Sequence, residues 1–359
     1  MSELATPLAS LARAAQSTPT SLWNDSADPE ELRRSIEFGA VGATCNPVIA
    51  FTAIKAHPDV WVPRLRELAA QHPTWGESDL GWAAVRELSI AAAAQLVPAF
   101  EASGGRNGRL SIQTDPRLHR DAAALADQAE EFAKLAPNII VKIPATATGI
   151  GAMEEAAFRG VSINATLSFT VPQALAVAQA LERALDRRAA AGLPDQEFGH
   201  VVTIMGGRLD DWLKQWATAQ RILVTPGVLD WAGVAALKKA HHLFVERGYR
   251  SRILSAAFRS HLHWAELVGG DLVVSPPFDW QARINENDIP AENRIDIPVS
   301  GDILDELLGL SEFRRAYDED GMTADEFIDF GASRNTLRQF LDADAQLDAL
   351  VRDVIVPAA

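Results

Sequence analysis

Cysteine is almost missing from this chain. Cys45 is the only one in 359 residues, which excludes an intrachain disulfide and any metal site built from several thiolates. Positive charge is in short supply too: 33 basic residues face 48 acidic ones, for a net charge of −15. On average such a field repels phosphates, which argues against a nucleic-acid partner or an anionic membrane. Any phosphate site must be a local cluster of cations. No apolar run approaches the roughly 18 residues needed to span a bilayer. The N-terminus, MSELATPLASLARAAQ, lacks the long apolar core of a secretion leader and reads as a helix. No G-x-G-x-x-G turn follows the first strand, and neither an H-E-x-x-H metal motif nor a G-x-S-x-G nucleophile elbow occurs. A metal site is therefore not expected. His241-His242 offers none, because adjacent histidines on a helix point apart. Together these absences leave a reducing, cytoplasmic setting as the expectation.

What is present is a large apolar fraction, 48% of the residues, arranged in short β-rich runs. They fall at 21–25, 41–46, 110–115, 138–144, 161–168, 200–205, 251–258 and 271–275. Helical patterns fill most of the intervals: 61–70, 80–102, 116–135, 171–191, 208–219 and 230–247. Asp28-Pro29-Glu30-Glu31 opens another, with Asp28 as N-cap, Pro29 at N1 and Glu31 at the capping-box position. Eight strands alternating with helices predict a closed (β/α)₈ barrel of the TIM type, with an open doubly wound sheet as the alternative. Residues 300–317 and 323–354 read as charge-rich helices. No linker or repeat sets them apart, so the expectation is one barrel domain over 1–359, with the barrel at about 21–290 and a helical extension at about 300–354.

The most informative run is Asn138 to Pro144. Ile139, Ile140, Val141 and Ile143 form a buried strand that only Lys142 interrupts. Such a lysine lies at an edge, snorkels to water, or loses its proton. Burial can lower its pKa by several units and make it an amine nucleophile. In a barrel of this kind, polar residues at the strand ends fall near one mouth. They are Asp25; Thr44 and Asn46; Gln113 and Asp115; Asn164, Thr166 and Ser168; Thr203 and Met205; and Ser255. Arg208 and Arg259 follow strands six and seven. Each has a plainer role available. Asn46 and Asp25 suit helix caps, and Thr44, Thr166 and Ser255 are ordinary strand residues. Arg208 can pair with Asp210 or Asp211, and Arg259 with Glu266. As a set they have one coherent use. A neutral lysine forms a Schiff base with a ketone, a carboxylate takes a hydroxyl proton, arginines hold a sugar phosphate, and asparagines bind hydroxyls.

The segments SLWND around Asp25, ATCNP at 43–47, VKIPAT around Lys142, SINATLSF at 162–169, GRLDDW at 207–212 and AAFR ending at Arg259 resemble the transaldolase family, in family order. The C-terminal LLGLSEFRRAYDEDGM resembles its longer members. The resemblance implies a (β/α)₈ enzyme of the pentose phosphate pathway. It would pass a dihydroxyacetone unit between sugar phosphates, from sedoheptulose 7-phosphate to glyceraldehyde 3-phosphate, giving erythrose 4-phosphate and fructose 6-phosphate. No metal or organic cofactor would take part, and the protein would be a monomer or homodimer. Lys142 would form the Schiff base, and Asp25 would be the general acid/base. Thr166 and Gln113 would belong to the proton relay through water. Thr44, Asn46, Asn164, Thr203, Met205 and Ser255 would line the substrate site, and Arg208 and Arg259 would clamp phosphate. The extension would be a lid or a barrel plug.

Three residues depart from the family pattern. Gln113 stands where glutamate is usual, Thr203 where serine is usual, and Met205 where an aromatic residue is usual. Glutamine at the first place resembles the fructose-6-phosphate aldolases, which release free dihydroxyacetone, although those carry tyrosine at the place of Met205. Two alternatives follow: an aldolase-like enzyme, or a sugar-phosphate binding protein without turnover.

Overall fold

The computed structural model describes residues 9–194 and 197–358. Helix α1 (Ser10–Ser17) leads into strand β1 (Ser21–Asn24), helix α2 (Pro29–Glu37) and β2 (Ala40–Cys45). Three helices follow, α3 (Pro47–Ala56), α4 (Pro58–Gln71) and α5 (Glu77–Ala102), before β3 (Arg109–Gln113) and α6 (Ala122–Ala133). The alternation is then strict: β4 (Ile139–Pro144), α7 (Ala147–Phe158), β5 (Ile163–Thr166), α8 (Val171–Ala190), β6 (Val201–Ile204) and α9 (Gly206–Gln220). Helix α10 (Ala232–Arg247) precedes β7 (Arg252–Ala256), α11 (Leu262–Ala265), β8 (Val273–Ser275) and α12 (Phe278–Glu286). Helices α13 (Gly301–Leu308), α14 (Ser311–Tyr317) and α15 (Gly331–Ile355) complete the chain. All strand pairs are parallel, and β1 closes on β8, so the sheet is the expected eight-stranded barrel.

Local chemistry explains where elements begin and end. Asp28 caps α2, its carboxylate accepting from the N–H groups of Glu30 (3.0 Å) and Glu31 (3.1 Å), and Pro29 starts the helix. The reciprocal half of a capping box is not formed, because the Asp28 N–H donates to Ser26 Oγ. The helix expected over 116–135 is instead a single 3₁₀ turn, Pro116–Leu118, followed by α6. Asp121 causes the break by capping α6 through the Ala124 N–H. The segment 300–317 is divided at Gly309-Leu310, and α15 begins eight residues later than expected, at Gly331. Of the N-terminal helix expected from residue 1, the part from Ser10 is seen; residues 1–8 lie outside the described residues.

Strand register fixes which side chains enter the lumen. Trp23, Ile140, Val201, Leu254, Ala256 and Val273 form its apolar plug, while Val141, Ile143, Ile204 and Val274 pack outward against the helices. At the N-terminal end the lumen is floored by Arg252, which donates to Ser21 Oγ (3.2 Å) and Asn107 Oδ1 (3.0 Å). Gly42 lets the Trp23 indole lie against β2: a Cβ there would stand 2.4 Å from Nε1 and Cε2. Gly42→Ala is therefore expected to destabilise the fold by about 3 kcal/mol, because a buried indole cannot move aside. A lowered urea midpoint at unchanged slope would register it.

Helix α5 has the length and mean hydropathy of a bilayer-spanning helix. Here Leu80, Ala84, Leu88, Ala92 and Leu96 bury its inner face, and it contacts β2, β3 and α15. Helix α15 also packs on α3 and α4, so the C-terminal extension crosses the helices that surround β2 and β3.

Candidate active site

Lys142 pairs in register with Gln113 on β3 and Asn164 on β5, so all three point into the lumen above Ile140. The strand is anchored at its start by Asn138, whose Nδ2 donates to the carbonyls of Ala93 and Gly108, both at 2.8 Å. Lys142 is buried, and among the described residues no side chain bonds its ammonium. Loss of hydration pushes its pKa down, and so does the charge of Arg208; the nearby Asp25 carboxylate pulls it up. Asp25 shows the mirror effect. Burial raises its pKa, while Lys142 and Arg208 attract its anion and oppose the rise. Both groups are thus displaced toward their neutral forms, the form in which an amine attacks a carbonyl.

A hydrogen-bonded chain crosses the lumen beside them. Asn164 donates through Nδ2 to Ser111 Oγ (2.9 Å), and Thr203 Oγ1 donates to Asn164 Oδ1 (2.7 Å). The amide plane of Asn164 is thereby fixed, with one N–H to spare. Thr44, in register with Ser111, faces the same space. Asn46 takes the plainer role considered for it. Its Oδ1 caps α3 by accepting from the Ile49 N–H (3.0 Å), and its Nδ2 has no partner among the described residues. Gln113 Oε1, Thr166 Oγ1, Ser275 Oγ and Arg208 Nε are buried without a partner among the described residues. A polar atom left so costs about 1–3 kcal/mol, so a concentration of them at one mouth marks a place built for a polar ligand.

The loops above this layer are held by unusual backbone. Leu167, directly after β5, has φ +51°, and Ala257, directly after β7, has φ +62°. Gln173 holds the first of these turns: its Nε2 donates to the carbonyls of Leu167 (2.8 Å) and Ala145 (3.0 Å), and its Oε1 accepts from the Phe169 N–H (3.0 Å). Gly207 packs against the second, where a Cβ would lie 2.0 Å from the Ala257 carbonyl oxygen. That close approach brings Arg208, on α9, beside Arg259, after β7. Burial lowers the pKa of Arg208 and the charge of Arg259 lowers it further, with Asp25 and Asp211 opposing. Arg208 donates to Thr336 Oγ1 (3.2 Å) and to Gln339 Oε1, both on α15. Arg259 is exposed and pairs with Asp211 (2.7 Å), not with Glu266. Met205, the residue before α9, is buried at the same strand end.

Two expected residues are not part of this constellation. Ser255 pairs with Ile204 and Val274, both in the outer layer, and lies between inward-facing Leu254 and Ala256. It faces the helices and is withdrawn from the site. Asp115 also leaves the lumen, binding Arg117 (2.6 Å) below α15. Residues not anticipated take part instead. Ser111 and Ser275 have the period-two spacing that would have revealed them, whereas Thr336 and Gln339 carry no local signal.

The family model for transaldolase/fructose-6-phosphate aldolase matches residues 22–345. Transaldolase 1 of Streptomyces coelicolor is 34% identical over 236 residues, covering 61% of this chain and 58% of that protein. The transaldolase of Thiobacillus denitrificans is 29% identical over 235 residues, 63% of this chain and 64% of its own length. The transaldolase of Thermobifida fusca is 31% identical over 204 residues, 53% of each. The matched stretches thus span between 53% and 64% of the length of these three relatives. With a closed eight-stranded barrel and a family match reaching from β1 into α15, the chain belongs to the transaldolase/fructose-6-phosphate aldolase family.

Proposed function

We propose that this protein is a transaldolase that works through a Schiff base on Lys142. The single observation that carries the reading is a buried, unpaired lysine in the lumen, within electrostatic reach of a buried-side carboxylate, Asp25. The neutral amine attacks the C2 carbonyl of a ketose phosphate, and the carbinolamine takes a proton from the water relay and loses water, giving an iminium. Asp25 takes the proton of the C4 hydroxyl. The C3–C4 bond breaks, its electron pair enters the iminium as an enamine, and an aldose phosphate departs. An acceptor aldose then reverses the steps. The iminium is itself the electron sink, so the chemistry calls for no metal or organic cofactor.

The remaining residues follow from their free valences. Asn46 Nδ2 and the second N–H of Asn164 bind donor hydroxyls, with Thr44, Thr203 and Met205 shaping the wall. Thr166 Oγ1 and Gln113 Oε1 orient the water that carries protons. Arg208 and Arg259 take the phosphate as charge-assisted donors, the Arg259–Asp211 pair being exposed and cheap to open. Sedoheptulose 7-phosphate and fructose 6-phosphate are the donors of this reading. It also carries a cytoplasmic setting, a single barrel domain with its helical extension, and a monomer or homodimer.

Gln113 favours a second reading, an aldolase that releases dihydroxyacetone, because an amide cannot hold the proton that a glutamate at this place would. The two separate in a coupled assay with fructose 6-phosphate. Glyceraldehyde 3-phosphate released only when erythrose 4-phosphate is present is the expected result. Release without the acceptor, together with free dihydroxyacetone, would establish the aldolase. No release in either case would point to another substrate or to a binding protein.

A further inference from the structure

We propose that a wholly buried pair, Asp210 and His263, is the positioning device of the phosphate site: it sets the backbone at Arg259 so that this guanidinium meets the phosphate beside Arg208. The inference rests on the reading that these two arginines bind phosphate. Neither side chain of the pair is exposed at all, and Asp210 Oδ2 lies 3.0 Å from His263 Nε2. The other carboxylate oxygen, Oδ1, accepts the Gly233 N–H at 2.7 Å. On the far side of the ring, Nδ1 receives the N–H of Arg259 at 3.1 Å and faces that of Ser260 at 3.4 Å.

These contacts fix the tautomer. Two backbone donors converge on Nδ1, so that nitrogen must present its lone pair, and the ring proton must sit on Nε2, which meets Asp210 Oδ2 at 3.0 Å in an electrostatic contact not aligned as a hydrogen bond. A protonated or flipped ring would turn Nδ1 into a donor facing donors. The placement in the sequence is economical. Arg208 and Asp210 are two residues apart on α9; the first is one arm of the clamp, and the second holds the other arm through His263. Asp211, next in line, binds the Arg259 Nε at 2.7 Å. Asp210 therefore bears on the backbone of the arm, whereas the exposed Asp211 contact with its side chain opens when phosphate binds. Such support is needed because the turn before Arg259 is strained at Ala257, φ +62°, and exposed at Arg259 itself. Without it the turn is free to relax, and a displacement of about 1 Å is enough to spoil a charge-assisted contact.

The test compares His263→Leu, His263→Asn, Asp210→Asn and Arg259→Ala with the unaltered protein. The readouts are kcat and KM for fructose 6-phosphate at saturating acceptor, inhibition by inorganic phosphate, borohydride trapping of dihydroxyacetone, and the melting temperature. Arg259→Ala is expected to raise KM and the phosphate inhibition constant by about tenfold or more. His263→Leu should raise both by about tenfold, with kcat changed far less and dihydroxyacetone trapping intact. His263→Asn should restore much of the loss, since its Oδ1 can accept the Arg259 N–H. Asp210→Asn tests the tautomer: its amide donates to Nε2 and moves the ring proton to Nδ1, so KM should rise although the fold is retained. That variant keeps the proposal open to refutation should His263→Leu not fold. A lower melting temperature in the His263 and Asp210 variants with KM and phosphate inhibition unchanged, while Arg259→Ala raises both, would overturn the proposal and leave the pair a structural staple. If Arg259→Ala itself changes neither, the phosphate reading fails and the proposal falls with it.

Discussion

Lys142→Met is expected to lower turnover by at least about 10⁴-fold and, at neutral pH, to raise the melting temperature. The first effect follows from chemistry. Methionine fills the space of the lysine stem but has no nitrogen to form an iminium, so the C3–C4 bond has no electron sink. The second follows from linkage. In the fold, burial holds the Lys142 pKa below its ordinary value of 10.5. The folded state therefore binds this proton less tightly than the unfolded chain. Stability is lost as pH falls from the unfolded pKa through the folded one, and the loss is fully present below both. An uncharged side chain removes that penalty. Turnover measured beside a thermal melt would check both signs, and a residue kept at a cost in stability is what a reactive group predicts. A Lys142→Met protein that melts lower and still turns over would mean the lysine is structural.

Asp25→Asn is expected to cut turnover by about 10²–10⁴-fold while leaving Schiff-base formation largely intact. The carboxylate enters after the iminium forms, as the base that takes the C4 hydroxyl proton. Asparagine keeps the size and hydrogen bonding but accepts no proton. The variant should accumulate a trapped ketose that does not cleave. Its stability should change in the direction opposite to the usual carboxylate loss. Burial raises the Asp25 pKa above 3.8, so the folded state holds this proton more tightly than the unfolded chain. Stability from this group is present at low pH and lost as pH rises through the folded pKa, so the neutral amide is favoured at pH 7. Borohydride trapping and product release, measured on the same sample, separate the two roles. Loss of trapping in step with loss of release would place Asp25 in imine formation and remove it from bond cleavage.

Much of this site could be read from the residues, and the reasons are local. Lys142 stood out because a single cation interrupts a β-branched run. Asn164 and Thr166, two apart, necessarily share a face. Three things could not be read. Ser255 was assigned to the mouth because it lies near a strand end, but its face depends on register with β6 and β8, and a shift of one residue inverts the side chain. The Asp210–His263 contact joins residues 53 positions apart, and neither neighbourhood hints at the other. The approach of Thr336 and Gln339 to Arg208 arises from how α15 crosses the barrel, which no periodicity encodes. Helix boundaries shifted where caps took over from propensity, as at Asp121.

The central claim is a covalent bond between Lys142 and the substrate. The measurement that tests it most directly is borohydride reduction of the protein in the presence of fructose 6-phosphate, followed by peptide mass mapping. The account predicts one reduced ketose adduct, on the peptide carrying Lys142, and its absence when either the sugar or the reductant is left out. An adduct on a different lysine, or steady product formation with no adduct on Lys142, would contradict it.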